Sequence, residues 1–252
     1  MRDILDYERQ YTEHPFERSQ EKYRRRLMKD VIAKYAKEGD CILEIGCGLD
    51  PLFVDYHDEY TFVVVEPAAH YYENACLLAE KYNNVLCYQG FFEDVMSRIM
   101  GRTYDIIICS SLLHEVENPR LLLQDIGCLC HRQTVVHVNV PNAFSLHRLL
   151  AKEMGLLEDV HQLSDSNLTL QQHNVYDMES LTKLVLSEGY CVVDSGSAFL
   201  KPFTHQQMQQ CLDSNILNED ILNALDRMCA SYMKEYGSEI YLNMRYVNGR
   251  AL

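Results

Sequence analysis

The sequence predicts an α/β fold: a doubly wound, mostly parallel sheet of seven strands carrying helical lid elements. Three observations predict it. Short apolar runs alternate with helical patterns along most of the chain, which is the order of a parallel sheet with helices on both faces. The run at 104–109 is almost wholly apolar, as a strand buried on both faces must be. Finally, Ile42-Leu43-Glu44-Ile45-Gly46-Cys47-Gly48-Leu49-Asp50-Pro51 reads as a buried strand entering a glycine turn and then a helix start.

Taken in order, residues 19–37 form an amphipathic helix with Leu27, Val31, Ile32 and Tyr35 on one side, ended by Gly39-Asp40. Strands follow at 41–45 and 60–65, with Asp50 as helix cap and Pro51 as first helical residue between them. A helix at 68–82 leads to a strand at 85–88, and the strand at 104–109 leads to a helix at 118–130 and a strand at 134–140. After Pro141 the alternation lapses: 142–175 is polar and helical in pieces, with a turn at 163–167. A helix at 178–187, a strand at 191–194, a long helical stretch at 201–236 and a strand at 239–247 complete the chain. The stretch 201–236 is unusually long for a hairpin connection.

With 252 residues, 47% hydrophobic and 24% charged, the chain has the composition of a globular protein large enough for one sizeable α/β domain. No apolar run of 18 residues offers a membrane span, and the N-terminus is too charged for a signal peptide. Cys41, Cys109 and Cys191 read as core thiols of a reducing compartment, so a cytoplasmic location is expected. Cys128-x-Cys130-His131 is not a usual zinc spacing, and no metal is expected. The net charge of −14 argues against a nucleic-acid partner. The basic run Arg18, Lys22, Arg24, Arg25, Arg26 and Lys29 is either the solvated face of a helix or an anion-steering patch.

The second strand is followed directly by Glu66, 20 residues after Gly46, where a nucleotide-binding unit places a carboxylate for the ribose hydroxyls. A dinucleotide site calls for a third glycine and sets its pyrophosphate on the helix start. Asp50 would repel such a group, since like charges 4 Å apart interact by about 4 kcal/mol at an effective dielectric near 20. A sulfonium cofactor suits an acidic rim. At this point the sequence resembles the class I S-adenosylmethionine-dependent methyltransferases of the bacterial small-molecule type. The resemblance covers roughly residues 40–200 and the strand near 239–247. It implies that Glu44, Gly46, Cys47, Gly48 and Glu66 hold the methionine and ribose parts of S-adenosylmethionine, and that the last strand runs antiparallel. It also divides the chain into an N-terminal helical arm or lid, 1–38, and a methyltransferase domain, 39–252. Lid insertions are then expected at about 142–175 and 201–236.

The other strand exits supply further candidates. By the resemblance, Glu93 or Asp94 takes the adenine amino group, with Phe91 or Phe92 against the ring; a capping acid after two core phenylalanines is the alternative. Ser110 and Ser111 line the methionine moiety, and His114 follows them. With an unperturbed pKa of about 6.5, His114 is either a general base or a pocket-shaping residue. The segment lacks the Asn/Asp-Pro-Pro-Tyr/Phe and Pro-Cys signatures of enzymes acting on bases. Val140-Pro141-Asn142-Ala143-Phe144-Ser145-Leu146-His147-Arg148 resembles a segment after the fifth strand in a subset of bacterial class I enzymes. It offers Asn142, Ser145, His147 as a second base candidate, and Arg148 as an anion anchor, with pairing of Arg148 to Glu153 or Asp159 the alternative. Ser145 is also a candidate cap for the following helix.

His173 and Tyr176 are substrate-mouth candidates, although Gln172 stands where related enzymes carry glycine. Lys201-Pro202-Phe203 is a lid candidate, and the aromatic group Tyr7, Tyr11, His14 and Phe16 reads as the anchor of the N-terminal arm, with closure over the cofactor the alternative. The expected reaction is methyl transfer from S-adenosylmethionine to an oxygen or nitrogen of a small molecule, with a sugar, nucleotide-linked sugar or phosphorylated metabolite preferred. A homodimer stays open. The rival readings are a non-catalytic partner protein of the same fold and a nicotinamide-dependent oxidoreductase.

Overall fold

The computed structural model describes residues 3, 4, 6, 15–56 and 58–247. Tyr7, Tyr11 and His14 of the expected aromatic group lie outside the described residues. The strands are β1 (Cys41–Ile45), β2 (Thr61–Glu66), β3 (Val85–Gln89), β4 (Tyr104–Ser110), β5 (Cys130–Pro141), β6 (Tyr190–Ala198) and β7 (Glu239–Tyr246). The helices are α1 (Pro15–Tyr35), α2 (Ala69–Ala79), α3 (Phe92–Ile99), α4 (Pro119–Leu129), α5 (Leu146–Glu153), α6 (Asp165–Thr169), α7 (Met178–Ser187), α8 (His205–Asp213) and α9 (Glu219–Tyr232). The strands form one seven-stranded sheet in the order β3-β2-β1-β4-β5-β7-β6. It is parallel except for β7, which runs antiparallel to β5 and β6. The strand order turns back between β1 and β4, and the crevice outside the carboxyl ends there is where such sheets bind ligands.

Both sheet faces are covered, as the apolar strands require. Phe62, Val63, Val64 and Val65 of β2 are at most 1% exposed. One face packs Leu43, Val63, Ile107 and Val136 against Val95, Ile126 and Leu181 of α3, α4 and α7. The other packs Ile42, Phe62, Val64 and Ile106 against Met28, Val31 and Ile32 of α1 and Ala75 of α2. A small third cluster joins α1 to the β6 exit, α8 and α9, with the rings of Tyr23 and Phe199 stacked at 4.4 Å.

The elements depart from expectation in identifiable ways. Asp50 does not cap an α-helix; it precedes a single 3-10 turn, Leu52–Asp55, entered through an extended Pro51 (ψ 142°). The first amide of that turn is instead accepted by Glu44 of β1. Helix α3 enters the sequence reading only through the alternative of a capping acid at Glu93 or Asp94; Phe92, Val95 and Ile99 recur at helical spacing and are buried, with both acids in its first turn. Strand β5 begins at Cys130 rather than 134, because the polar residues after Cys130 loop out before pairing resumes at Ile106 and Val135. Cys191 is exposed on the edge strand β6 rather than a core thiol, whereas Cys109 is buried; all ten cysteines are free. The expected turn at 163–167 becomes α6, started by a capping box between Ser164 and Asn167.

Candidate cofactor and acceptor site

A cleft of about 640 Å³ opens at the carboxyl ends of β1, β2 and β4. Its floor is the glycine turn. Gly46 and Gly48 both take left-handed conformations (φ 78° and 58°), and a Cβ on either would meet nothing within 4 Å. The turn is therefore bare on its open side, as close approach of a ligand requires. It is fixed from below: Gly46 N–H donates to the Val65 carbonyl at 2.8 Å. Gly48 N–H donates to Glu66 Oε2 at 3.1 Å and Ala68 N–H to Glu66 Oε1 at 2.9 Å. Burial raises the Glu66 carboxyl pKa, opposed by these amides. Leu52 N–H donates to Glu44 Oε2 at 3.0 Å. Burial dominates at Glu44 and pushes its pKa up to about 8. The Cys47 thiol is likewise raised by burial, so it is a packing group and not a nucleophile.

On the opposite side the cleft is bordered by Ser110 and Ser111 at the end of β4. Ser111 has φ 52°, a left-handed conformation that a non-glycine residue keeps only where its surroundings hold it. Its N–H is held by the Asn139 carbonyl at 3.0 Å. The Ser110 and Ser111 hydroxyls are buried without a protein partner, at the mouth where a ligand would satisfy them. Phe91, Phe92, Glu93 and Asp94 complete the far end, with both acids in the first turn of α3. These residues fit S-adenosylmethionine: a bare turn, a carboxylate at the ribose position, orphan hydroxyls and acids to meet a cation.

All the cofactor-side candidates, Glu44, Gly46, Cys47, Gly48, Glu66, Phe92, Glu93, Ser110 and Ser111, border this one cleft. Of the acceptor-side candidates only His173 does. His114 is 2% exposed and outside the lining residues. Its carbonyl accepts the His173 and Asn174 amides at 2.9 and 3.1 Å, so its backbone positions His173. The left-handed residue of that turn is Gln171 (φ 54°), which is why Gln172 can stand in place of glycine.

His147 lies on α5, away from the cleft lining. Burial holds its pKa well below the usual value, reinforced by the charges of Lys201, His205 and Arg148. Arg148 does not reach the cleft either. Its guanidinium donates to the Val160 carbonyl (3.0 and 2.8 Å), the Gln162 carbonyl (2.5 Å) and Asn167 Oδ1 (3.2 Å). It ties the 160–167 segment to α5 in place of the expected pairing with an anion, Glu153 or Asp159. Asn142 donates to the Glu235 and Gly237 carbonyls, both at 2.9 Å. Tyr176 is 8% exposed within the core, its carbonyl accepting Ala143 N–H at 2.7 Å. Ser145 occupies the α5 cap position without making a side-chain capping bond.

Helix α1, expected as part of an N-terminal arm or lid, is one wall of the cleft, but apart from the basic run its residues were not among the site candidates. Glu17, Arg18, Glu21, Arg24, Arg25 and Met28 all border the cleft, at steps of one, three and four that place them on one helical face. That spacing was the available signal. Arg25 clamps the helix to the turn through the Asp50 carbonyl, the Pro51 carbonyl (3.1 Å) and Asp55 Oδ2 (2.9 Å). Arg24 pairs with Glu17 at 2.8 Å and with the buried Glu239 at 2.6 Å. Lys22, Arg26 and Lys29 pair with Glu219, Asp226 and Asp55. The basic run is thus neither a bare solvated face nor an open anion patch. Helices α5, α6, α8 and α9 contribute no residue to the cleft lining; of the two expected lid insertions, 142–175 reaches it through His173, and 201–236 has no lining residue among the described residues.

Comparison with known proteins agrees with this geometry. A family model described as a methyltransferase domain matches residues 20–195. No curated protein sequence matches the chain. Among solved structures, an S-adenosylmethionine-dependent methyltransferase of Thermotoga maritima, titled a possible histamine N-methyltransferase, has TM-score 0.57 at 13% identity. The match covers 96% of this chain and 95% of that one. Magnesium protoporphyrin IX methyltransferase from Synechocystis has TM-score 0.54 at 11% identity, covering 86% and 79%. The 4+2 cyclase SpnF has TM-score 0.57 at 15% identity, covering 88% and 81%. Identities this low speak to the fold alone. The chain belongs to the methyltransferase domain family, and is an S-adenosylmethionine-dependent methyltransferase of class I. Among the described residues no helix is long and apolar enough to cross a membrane.

Proposed function

We propose that the protein transfers the methyl group of S-adenosylmethionine to an oxygen or nitrogen of a small molecule. The observation that carries the reading is Glu66, 4% exposed and held by two backbone amides at the edge of a cleft floored by two open glycines. When bound, the cofactor supplies an electrophilic methyl on a sulfonium. The protein's part is to hold and orient. Glu66 accepts from the ribose, Glu93 or Asp94 from the adenine amino group, and the Ser110–Ser111 backbone borders the methionine end. The acids around the turn offset the sulfonium charge. His173 borders the acceptor side, positioned by the His114 carbonyl.

Two observations favoured a phosphorylated or nucleotide-linked acceptor: Arg148 and the basic N-terminal run. Internal contacts account for Arg148 and for the run apart from Arg18, so that preference is dropped. Thermal shift with S-adenosylmethionine, S-adenosylhomocysteine and NAD tests the cofactor. A ligand at 100 times its Kd adds about 2.7 kcal/mol, a rise of several degrees for a chain of this size. Stabilisation by the two sulfur compounds and not by NAD is expected; stabilisation by NAD alone would overturn the reading.

A further inference from the structure

The cleft holds more charge than the cofactor accounts for, and most of it is negative. Beyond Glu66, Glu93 and Asp94, and leaving aside Glu44, whose raised pKa keeps it protonated, its lining includes Glu17, Glu21, Asp50, Glu115, Glu117 and Asp125 against Arg18, Arg24 and Arg25. Arg24 and Arg25 are committed to Glu17, Glu239 and Asp55. Arg18 is exposed at the rim. Glu21 differs from its neighbours on the α1 face: it is partly buried, it borders the cleft, and among the described residues it has no hydrogen bond or ion pair. Arg24 and Arg25 act on it only at a distance, and a partly desolvated carboxylate with no hydrogen bond is unfavourable unless it has a ligand to meet.

We propose that Glu21 is the acceptor-recognition residue of this methyltransferase, and that the acceptor presents a basic nitrogen to it. The inference rests on the proposed function, since it assigns the acceptor side of the same cleft. An amine arrives as an ammonium, which a carboxylate in a low-dielectric wall holds by a charge-assisted hydrogen bond. The same contact readies it for alkylation. The N–H proton passes to the Glu21 oxygen, leaving a neutral carboxylic acid and a neutral amine whose lone pair is free. The surroundings of Glu21 suit both roles. Burial raises its proton affinity, Arg24 opposes this, Asp50 and Glu17 add to it, and Arg25 opposes it, with a net upward result. An anionic acceptor would meet the same carboxylates and find Arg18 alone without an ion pair among the cleft's described cations.

Calorimetric titration of the full chain tests this with three matched probes: phenethylamine, phenethyl alcohol and phenethyl phosphate. Each is titrated into the protein saturated with S-adenosylhomocysteine and, in parallel, into the cofactor-free protein. The amine is expected to bind about tenfold or more tighter than the alcohol and the phosphate. Glu21→Gln abolishes that preference while leaving the S-adenosylhomocysteine Kd unchanged and the Tm no lower than wild type, and Glu21→Asp, which keeps the charge, retains most of it. An amine that binds no better than the alcohol, a phosphate that binds best, or a preference surviving in Glu21→Gln overturns the proposal. Failure of S-adenosylhomocysteine to bind strikes the cofactor reading instead, and the cofactor-free titrations still report on Glu21.

Discussion

Glu44, inside the sheet, accepts the backbone N–H of Leu52 at 3.0 Å, so the last turn of the cofactor loop hangs from the strand that starts it. Burial raises the Glu44 pKa from an ordinary 4.5 to about 8, against the pull of the Leu52 amide and Arg25. The folded chain keeps a proton there that the unfolded chain has lost. The stability this contributes is fully present below pH 4.5 and disappears as pH rises through about 8. Between pH 5 and 8.5 the wild-type Tm is expected to fall by about 5 °C more than that of Glu44→Gln, measured by scanning calorimetry. Parallel curves would remove Glu44 as the cause.

The Glu66 carboxyl accepts the Gly48 and Ala68 amides and borders the cleft, where it is proposed to meet the ribose. Glu66→Ala is expected to weaken S-adenosylmethionine binding by about 10- to 100-fold, the loss for hydrogen bonds to a charged group. Titration calorimetry reads this, and a Kd within a factor of two of wild type would move the ribose contact elsewhere.

Arg148 is a brace. Its removal leaves the buried Val160 carbonyl without a partner and releases the Gln162 carbonyl at the surface, so Arg148→Met should cost about 2 kcal/mol of stability. Limited proteolysis should then cut the 160–167 segment faster than in the wild type. Cofactor Kd should stay unchanged. A variant with wild-type Tm and a weakened response to phosphorylated probes would restore the anion-anchor role.

Arg24 and Glu239 tie α1 to the last strand. Burial works to raise the Glu239 carboxyl pKa, but the charge and hydrogen bond of Arg24, with the Gln20 amide, outweigh it and hold it below the usual range. This stability is present above pH 4.5, the ordinary value, and is lost as pH falls through the lowered one. Arg24→Met removes the compensating charge, and about 3 kcal/mol of destabilisation is expected at pH 7. The deficit should shrink towards pH 4 as Glu239 protonates in the variant. Urea denaturation at both pH values checks it, and a deficit that grows at low pH would contradict the assignment.

The fold, and the gathering of the glycine turn, Glu66 and the β4 exit at one cleft, could be read directly from the chain because their determinants are local. Apolar runs, Gly46 and Gly48 at left-handed positions, and Glu66 at the end of β2 are set by backbone sterics and strand periodicity, which a few consecutive residues encode. Asp50 was misread for the complementary reason. It has the side chain of a cap, but the amide that needed one already had Glu44, eight residues away across the turn.

The acceptor half was decided by where side chains land once the elements pack. Arg24 and Glu239 are 215 residues apart, and Lys22 and Glu219 are 197 apart. No window of sequence reveals that a basic helix is neutralised by acids so distant. His114, His147 and Arg148 had suitable chemistry at suitable strand exits, yet packing turned the histidines' positions away from the cleft lining and spent the arginine on carbonyls. The α1 face reached the cleft instead, because Met28, Val31 and Ile32 anchor that helix on the sheet and leave its charged side over the carboxyl ends of the strands. Local steric rules are written residue by residue, whereas the direction a polar side chain takes depends on which desolvated partner the whole fold brings within reach.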